Sequence, residues 1–290
     1  MIIKRKLIRT DTPPGHQGFL GPDHTARAVI QRDYSESDPF ILLMDDVLDK
    51  KNNDPVGGPH PHGGFETVTL IVEGEMGDES DKMSAGDFQI MTAGSGIIHT
   101  EAIKEKTFVR ILQLWLNLPR EQRWVEPRVQ NISHERVPVV SRDGLNIKIY
   151  SGSLSGVSSP LFNYTPLIVA EINLSGGITT TQLIPANFNT FLYVLKGSVS
   201  IGDDEQVVRT NQVGWLDKYS EREQSELKLT AGDSGARVIL YSGQPQGDAI
   251  VSHGPFIGDN QQDIIRLYND YRQGKLKHIS SVAESQQVNL

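Results

Sequence analysis

The sequence predicts an all-β protein made of two related domains, and three observations carry that prediction. Short runs of β-branched and aromatic residues are cut at close intervals by turn residues. Helical periodicity is scarce, with its best candidate at Gln261 to Gln273. An internal repeat links the two halves.

The strands come first. Phe65-Glu66-Thr67-Val68-Thr69-Leu70-Ile71-Val72 is such a run, and Glu73-Gly74-Glu75 is expected to break it. Phe108 to Leu118 is a second strand, stopped by Pro119. In the second half, Phe191 to Leu195 ends at Lys196-Gly197, and Arg237 to Tyr241 ends at Ser242-Gly243. Strands this short and evenly punctuated favour a sandwich or barrel. The one clear helix is Gln261 to Gln273, with Ile264, Leu267, Tyr268 and Tyr271 on one face, Asn260 as its N-cap and Gly274 at its C-terminal cap.

The repeat pairs Phe65-x-Thr67 and Leu70 to Gly74 with Phe188-x-Thr190 and Tyr193 to Gly197, at one offset. Duplication places the join near Pro138 to Gly144. The expected domains are therefore 1–137, and 138–290 with the C-terminal amphipathic helix.

Composition narrows the function. The 290 residues carry a net charge of −8, which repels nucleic acid and anionic membranes, so neither is expected as a partner. The one basic cluster, Lys4-Arg5-Lys6 with Arg9, reads as a solvated strand end. There is no cysteine, which excludes disulfides, iron–sulfur clusters, zinc fingers and thiol nucleophiles. With no apolar leader at Met1 to Lys6, a cytoplasmic location is expected.

His60-Pro61-His62 and His99-Thr100-Glu101 carry the chemistry. Residues i and i+2 of a strand point to one face, so each pair projects two donors in one direction. Imidazole and carboxylate suit Fe, Mn, Co, Ni, Cu and Zn. Gly57-Gly58, Gly63-Gly64 and Gly94-Ser95-Gly96 let the backbone turn close to such a site, and Pro61 calls for a strand start or an edge. One pair beside glycine and proline reads equally well as an exposed loop, but two pairs with strand spacing point to a metal. His16, His24, His134, His253 and His278 stand alone in the sequence. The repeat sets Leu183 opposite His60 and Pro185 opposite His62, so only the first domain is expected to hold metal.

These segments resemble the pirin family. The resemblance lies in Pro59 to Thr67, Gly86 to Glu101, Gln113 to Leu118, Glu126-Pro127 and His253-Gly254-Pro255-Phe256. It implies two tandem cupin (double-stranded β-helix) barrels and assigns the metal ligands to His60, His62, His99 and Glu101. It implies iron(II) as the metal, with Mn, Co, Ni, Cu or Zn as alternatives. Some members look like quercetin 2,3-dioxygenases, which open a flavonol with O₂. Others look like redox-sensing regulators acting on protein partners.

The leading expectation is a dioxygenase acting on a flavonol-like enol and O₂, with Glu101 as ligand and as base for the substrate hydroxyl. A metal-containing regulator that meets a protein partner comes second. A closed structural zinc site comes third. Glu66 is either a partner of a ligating histidine or an outward strand residue, Asp87 closes a turn, and Phe65 and Trp115 are core. The segment Met76 to Met83 is shorter than usual for the family and lacks histidine, which leaves the substrate range open. Gly232-Asp233-Ser234-Gly235 looks like a protease nucleophile segment but reads as a turn, and Gly94-x-Gly96 is too short for a dinucleotide fingerprint.

Overall fold

In the computed structural model, residues 2–30, 32–77 and 82–290 are described, so part of the Met76 to Met83 segment lies outside them. The chain is mostly strand, and its longest helix spans Gln261–Arg272. It divides into two compact units. One comprises Pro14–Arg136 with Gln246–Leu290, the other Met1–Pro13 with Val137–Pro245. The expected split into 1–137 and 138–290 is thus corrected at both ends: residues 246–290, helix included, belong with the unit that carries His60, and residues 1–13 belong with the other.

Strand pairing gives the physical reason, because the open edges of each sheet are satisfied by chain far away in sequence. Gln287–Asn289 lies parallel to Arg128–Ile132, and Lys277–His278 lies parallel to Ile97 and Ile98. In the other unit Ile3–Lys4 runs parallel to Ser225 and Glu226, and Leu7–Asp11 runs antiparallel to Val213–Leu216. No local sequence signal announces such pairings.

In the histidine-bearing unit, the strand Phe65–Met76 lies between Phe88–Thr92 and Thr107–Asn117. Thr107–Asn117 continues the sheet to Phe40–Lys50, and that strand to His24–Ala28. A smaller sheet orders Lys277–His278, Ile97–His99 and His60–His62, which leaves Pro61 on an edge strand as its missing N–H requires. Alternation divides the larger sheet into two environments. Leu43, Leu112, Leu114 and Leu116 are fully buried, whereas Leu42, Met44, Asp46, Ile111, Gln113 and Trp115 on the other face are half-buried. Water reaches that second face at these positions, while Leu48, Thr67, Thr69 and Val109 on it are buried.

The other unit repeats the ladder with a different filling. Its strands Leu145–Ser151, Leu167–Leu174, Gln224–Gly243 and Asn189–Ile201 pair in that order. Alternate residues Ile147, Ile149, Ala170, Ile172, Leu192, Val194, Val238 and Leu240 form a closed aliphatic core. The repeat is visible in the backbone at Gly74 and Gly197, with φ of 76° and 75°. A Cβ at either would sit 1.8 or 2.0 Å from the carbonyl oxygen of Phe108 or Gly235. Each glycine lies at or beside a register shift, so Gly74 does not end its strand but carries it through a bulge to Met76. Gly232 to Gly235 is also no turn: the Gln224–Gly243 strand runs through it, bulging between the pairs Val199–Ala231 and Gly197–Ala236.

The Asn260 side chain accepts from the N–H groups of Gln262 and Asp263, and Gly274 takes φ +67°, so the helix is capped as expected. Arg5 departs from expectation. It is fully buried, with Nε donating to Asp217 Oδ1 at 3.3 Å and Nη1 and Nη2 donating to the carbonyls of Pro185 and Phe188. Among the described residues no helix is long and apolar enough to cross a membrane.

Glu171 gives a test of the aliphatic unit. It accepts from Arg237 Nη2 at 2.9 Å and from Asn173 Nδ2 at 2.7 Å. Burial works to raise its pKa, but the hydrogen bond and charge of Arg237 outweigh it and hold the carboxyl below its ordinary value. A depressed folded pKa stabilises above the unfolded value of about 4.3, and the contribution is lost as pH falls through the folded one. Glu171→Gln should cost about 1–2 kcal/mol near pH 7 and less near pH 3, measured by urea unfolding at both.

Candidate metal centre

The three histidines meet. His60 pairs directly across the ladder with His99, and His62 pairs with Ile97, two residues before it. One ring nitrogen from each of His60, His62 and His99 falls in a group whose members all lie within 4.8 Å of one another. His60 Nε2 and His99 Nε2 are 2.7 Å apart. Two nitrogens bonded to one ion at about 2.1 Å stand about 3.0 Å apart when cis and about 4.2 Å when trans. The cluster comes close to these dimensions: the His60–His99 separation, a hydrogen-bond length, falls just under the cis value, and the 4.8 Å bound lies just above the trans value.

Second contacts fix how the rings face. His60 Nδ1–H donates to the Gly58 carbonyl at 2.9 Å, which leaves the Nε2 lone pair aimed at His99. Neither ring nitrogen of His62 makes a hydrogen bond to a described residue, although His62 is 3% exposed. The Pro255 carbonyl lies near enough to favour a protonated ring, but outside hydrogen-bond geometry. Buried polar atoms without partners are rare, and an ion is one recognised reason for them. Burial, helped by the charge of His60, pulls the His62 pKa down to about 3. Burial, with His62, His60 and His278, holds His99 well below its ordinary value. Both rings are neutral at ordinary pH, the form that binds metal.

Glu101 stands beside this group and is not a member of it. The strand carrying His99 ends there, and Glu101 follows it in irregular backbone, with its N–H donating to the Gly57 carbonyl at 3.1 Å. Gly57 has φ +74°, and a Cβ there would lie 2.1 Å from the Glu101 carbonyl oxygen, so only glycine permits this approach. Gln113 Nε2 donates to Glu101 Oε1 at 2.7 Å, which leaves Oε2 uncommitted to any described residue. Burial raises the Glu101 pKa, His60 and Gln113 work against that rise, and Asp46 adds to it.

The neighbours differ in part from their expected roles. Glu66 is fully buried and accepts from Thr92 Oγ1 at 2.7 Å, so it does not point outward. Asp87 closes its turn, accepting from the Ser84 N–H at 2.7 Å. Phe65 is core. Trp115 is only half-buried, with its ring 5.3 Å from that of His62, and so borders the site. Sequence reasoning missed Gln113, although strand alternation sets it on the face of Trp115. It also missed His278, whose Nε2 lies 3.0 Å from Thr100 Oγ1, because a parallel pairing delivers it from the far end of the chain. Among the described residues no second cluster of three metal-binding side chains occurs. Leu183, the counterpart of His60, is 51% exposed.

Two cupin domains, one with three inward imidazoles, define a bicupin with a single histidine centre. The sequence matches two family models, Pirin over residues 23–116 and Pirin C-terminal cupin domain over residues 169–277. Pirin of Rattus norvegicus is 34% identical over 248 residues, covering 82% of both chains. The chain belongs to the pirin family. Among solved structures, GK1651 from Geobacillus kaustophilus is 33% identical with a TM-score of 0.76, covering 86% of this chain and all of its own. A quercetin 2,3-dioxygenase from Acinetobacter baumannii is 26% identical with a TM-score of 0.79, covering 94% of this chain and 98% of its own.

Cobalt(II) or nickel(II) should bind this protein as a single ion per chain and raise its unfolding temperature. His62→Ala should abolish both effects, read by metal analysis after gel filtration and by thermal unfolding.

Proposed function

We propose that this protein holds one divalent transition metal through His60, His62, His99 and Glu101 and opens a flavonol or a related enol with O₂. The observation that carries the reading is the set of uncommitted donors. The buried His62 nitrogens have no partner among the described residues, Glu101 Oε2 is left open to them, and His60 Nε2 is engaged only by another ring of the cluster, His99. The likeness to a quercetin 2,3-dioxygenase supports the substrate class. Iron(II) leads the metals, and Mn, Co, Ni, Cu and Zn suit the same donors.

Three neutral imidazoles and one carboxylate would leave a divalent ion with a net charge of about +1. Such an ion, when bound, supplies electrostatic stabilisation for an enolate oxygen and a place for it to meet O₂. The protein's own groups do the rest. Gln113 keeps Oε1 engaged and the carboxylate oriented, so Oε2 would serve two roles in turn: donor to the metal before substrate enters and, made more basic by burial, acceptor of the substrate hydroxyl's proton afterwards. Trp115 forms an apolar wall next to His62 against which a flat ring can lie. The half-buried face of Leu42, Met44, Ile111 and Gln113 gives water, and hence a small molecule, a way in.

The metal-loaded protein should consume quercetin in air, with loss of flavonol absorbance and release of carbon monoxide. His60→Ala should abolish this turnover. Turnover surviving in that variant would place the chemistry elsewhere, and none with iron, manganese, cobalt, nickel or copper would favour a regulator that works through protein contacts. Gln113→Leu should weaken metal binding by about tenfold through loss of the brace on Glu101, measured by competition with a chromogenic chelator.

A further inference from the structure

The two units carry the same ladder, which allows each position of the metal-bearing barrel to be read against its counterpart. Thr67 lies opposite Trp115, and Thr69 opposite Gln113. The repeat carries these to Thr190 opposite Ser242, and Leu192 opposite Leu240. One strand further out, Gln113 faces Met44 and Ile111 faces Asp46, where the other unit has Leu240 facing Ala170 and Val238 facing Ile172. The next strand sets Ala26 opposite Asp46 and His24 opposite Leu48, where the other unit has Ile147 opposite Ile172 and Leu145 opposite Leu174. Asp46 and His24 thus stand where the duplicate barrel has Ile172 and Leu145 of its core.

A charge at an interior position that an aliphatic side chain fills equally well calls for a reason. The hydrogen bonds specify one. The Leu20 N–H donates to His24 Nδ1 at 3.2 Å, so in the neutral ring the proton resides on Nε2. That Nε2–H donates to Asp46 Oδ1 at 2.9 Å. His24 is 1% exposed and is held as a fixed brace. Asp46 Oδ2 has no partner among the described residues, and its side chain is 23% exposed. Asp46 shares its face of the ladder with Gln113, whose Nε2 holds Glu101, so the two carboxylates face one interior. Beside Asp46 on this face of the ladder stand the neutral side chains of Ile111, its direct cross-strand neighbour, and of Met44 and Gln113, the next pair along.

We propose that Asp46, braced by His24, is a second substrate-binding carboxylate. Its open Oδ2 accepts a hydrogen bond from a hydroxyl remote from the one that meets the metal, so the site selects enols that carry a second hydroxyl donor, as polyphenols do. The assignment rests on the flavonol reading above and names the feature of the flavonol that is recognised. Asp46 touches substrate in this account and binds no metal. A hydrogen bond to a charged acceptor contributes enough to alter affinity by about tenfold.

The test is equilibrium binding without O₂, so that no turnover intervenes. Quercetin and 3-hydroxyflavone, which lacks the further hydroxyls, are titrated into metal-loaded protein and followed by quenching of tryptophan fluorescence. The wild type should bind quercetin about tenfold more tightly, and this comparison needs no variant. Asp46→Asn, which turns a donor toward the substrate, should remove that preference while leaving 3-hydroxyflavone affinity and metal content unchanged. Equal affinity of the wild type for both compounds overturns the assignment. So does an Asp46→Asn variant that weakens both alike, or one that loses metal. Binding of neither compound by the wild type overturns the flavonol reading itself, and this assignment with it.

Discussion

The arrangement rests on keeping three imidazoles dry and close together. Burial strips their nitrogens of water and suppresses protonation, and for His62 no described residue replaces the lost hydrogen bonds. Such a cluster persists because a short antiparallel ladder sets His60 against His99, and the Gly58 carbonyl fixes the first ring. A slip of one residue would turn every one of these side chains to the opposite face. The parallel contact of Lys277–His278 with Ile97 and Ile98 secures the other edge of that ladder.

One scaffold serves two purposes in this chain. The unit spanning residues 137–245 fills its interior mainly with aliphatic side chains such as Ile147, Ile172, Leu192, Val194 and Leu240, with Thr180 and Gln182 buried on the same strand face as Ile184. The histidine-bearing unit puts Thr69, Gln113, Asp46 and His24 at the matching ladder positions and admits water to one face of its sheet. It gives up part of a hydrophobic core to do so, a trade common where stability and function compete. On its other face Leu43, Val68, Leu70, Ile90, Leu112, Leu114 and Leu116 are buried as fully as the core residues of the aliphatic unit.

The sequence made the strand content, the repeat, the helix caps and the histidine cluster legible, because each is written in local spacing: period two around His60 and His99, Asn260 before an apolar helical face, a shared glycine at 74 and 197. What it hid was non-local. Gly74 reads as a stop because its bulge exists only in relation to Phe108 across the ladder. Arg5 reads as solvated because the carbonyls that bury it come from Pro185, Ala186 and Phe188. His24 and His278 read as solitary because strand pairing, not spacing, brings them to Asp46 and Thr100.

The exchange of chain ends between the units has a consequence for how the protein is made. A ribosome finishes residues 14–136 well before it reaches 246–290, yet Phe256, Leu267 and Val288 are structural parts of the earlier segment's unit. The nascent histidine barrel must therefore wait, incomplete along two sheet edges, while the whole intervening aliphatic barrel is synthesised. Closure of contacts this distant in sequence is slow. Capture of an ion by His60, His62 and His99, which all emerge early, would shift that waiting chain toward order before its last strand arrives.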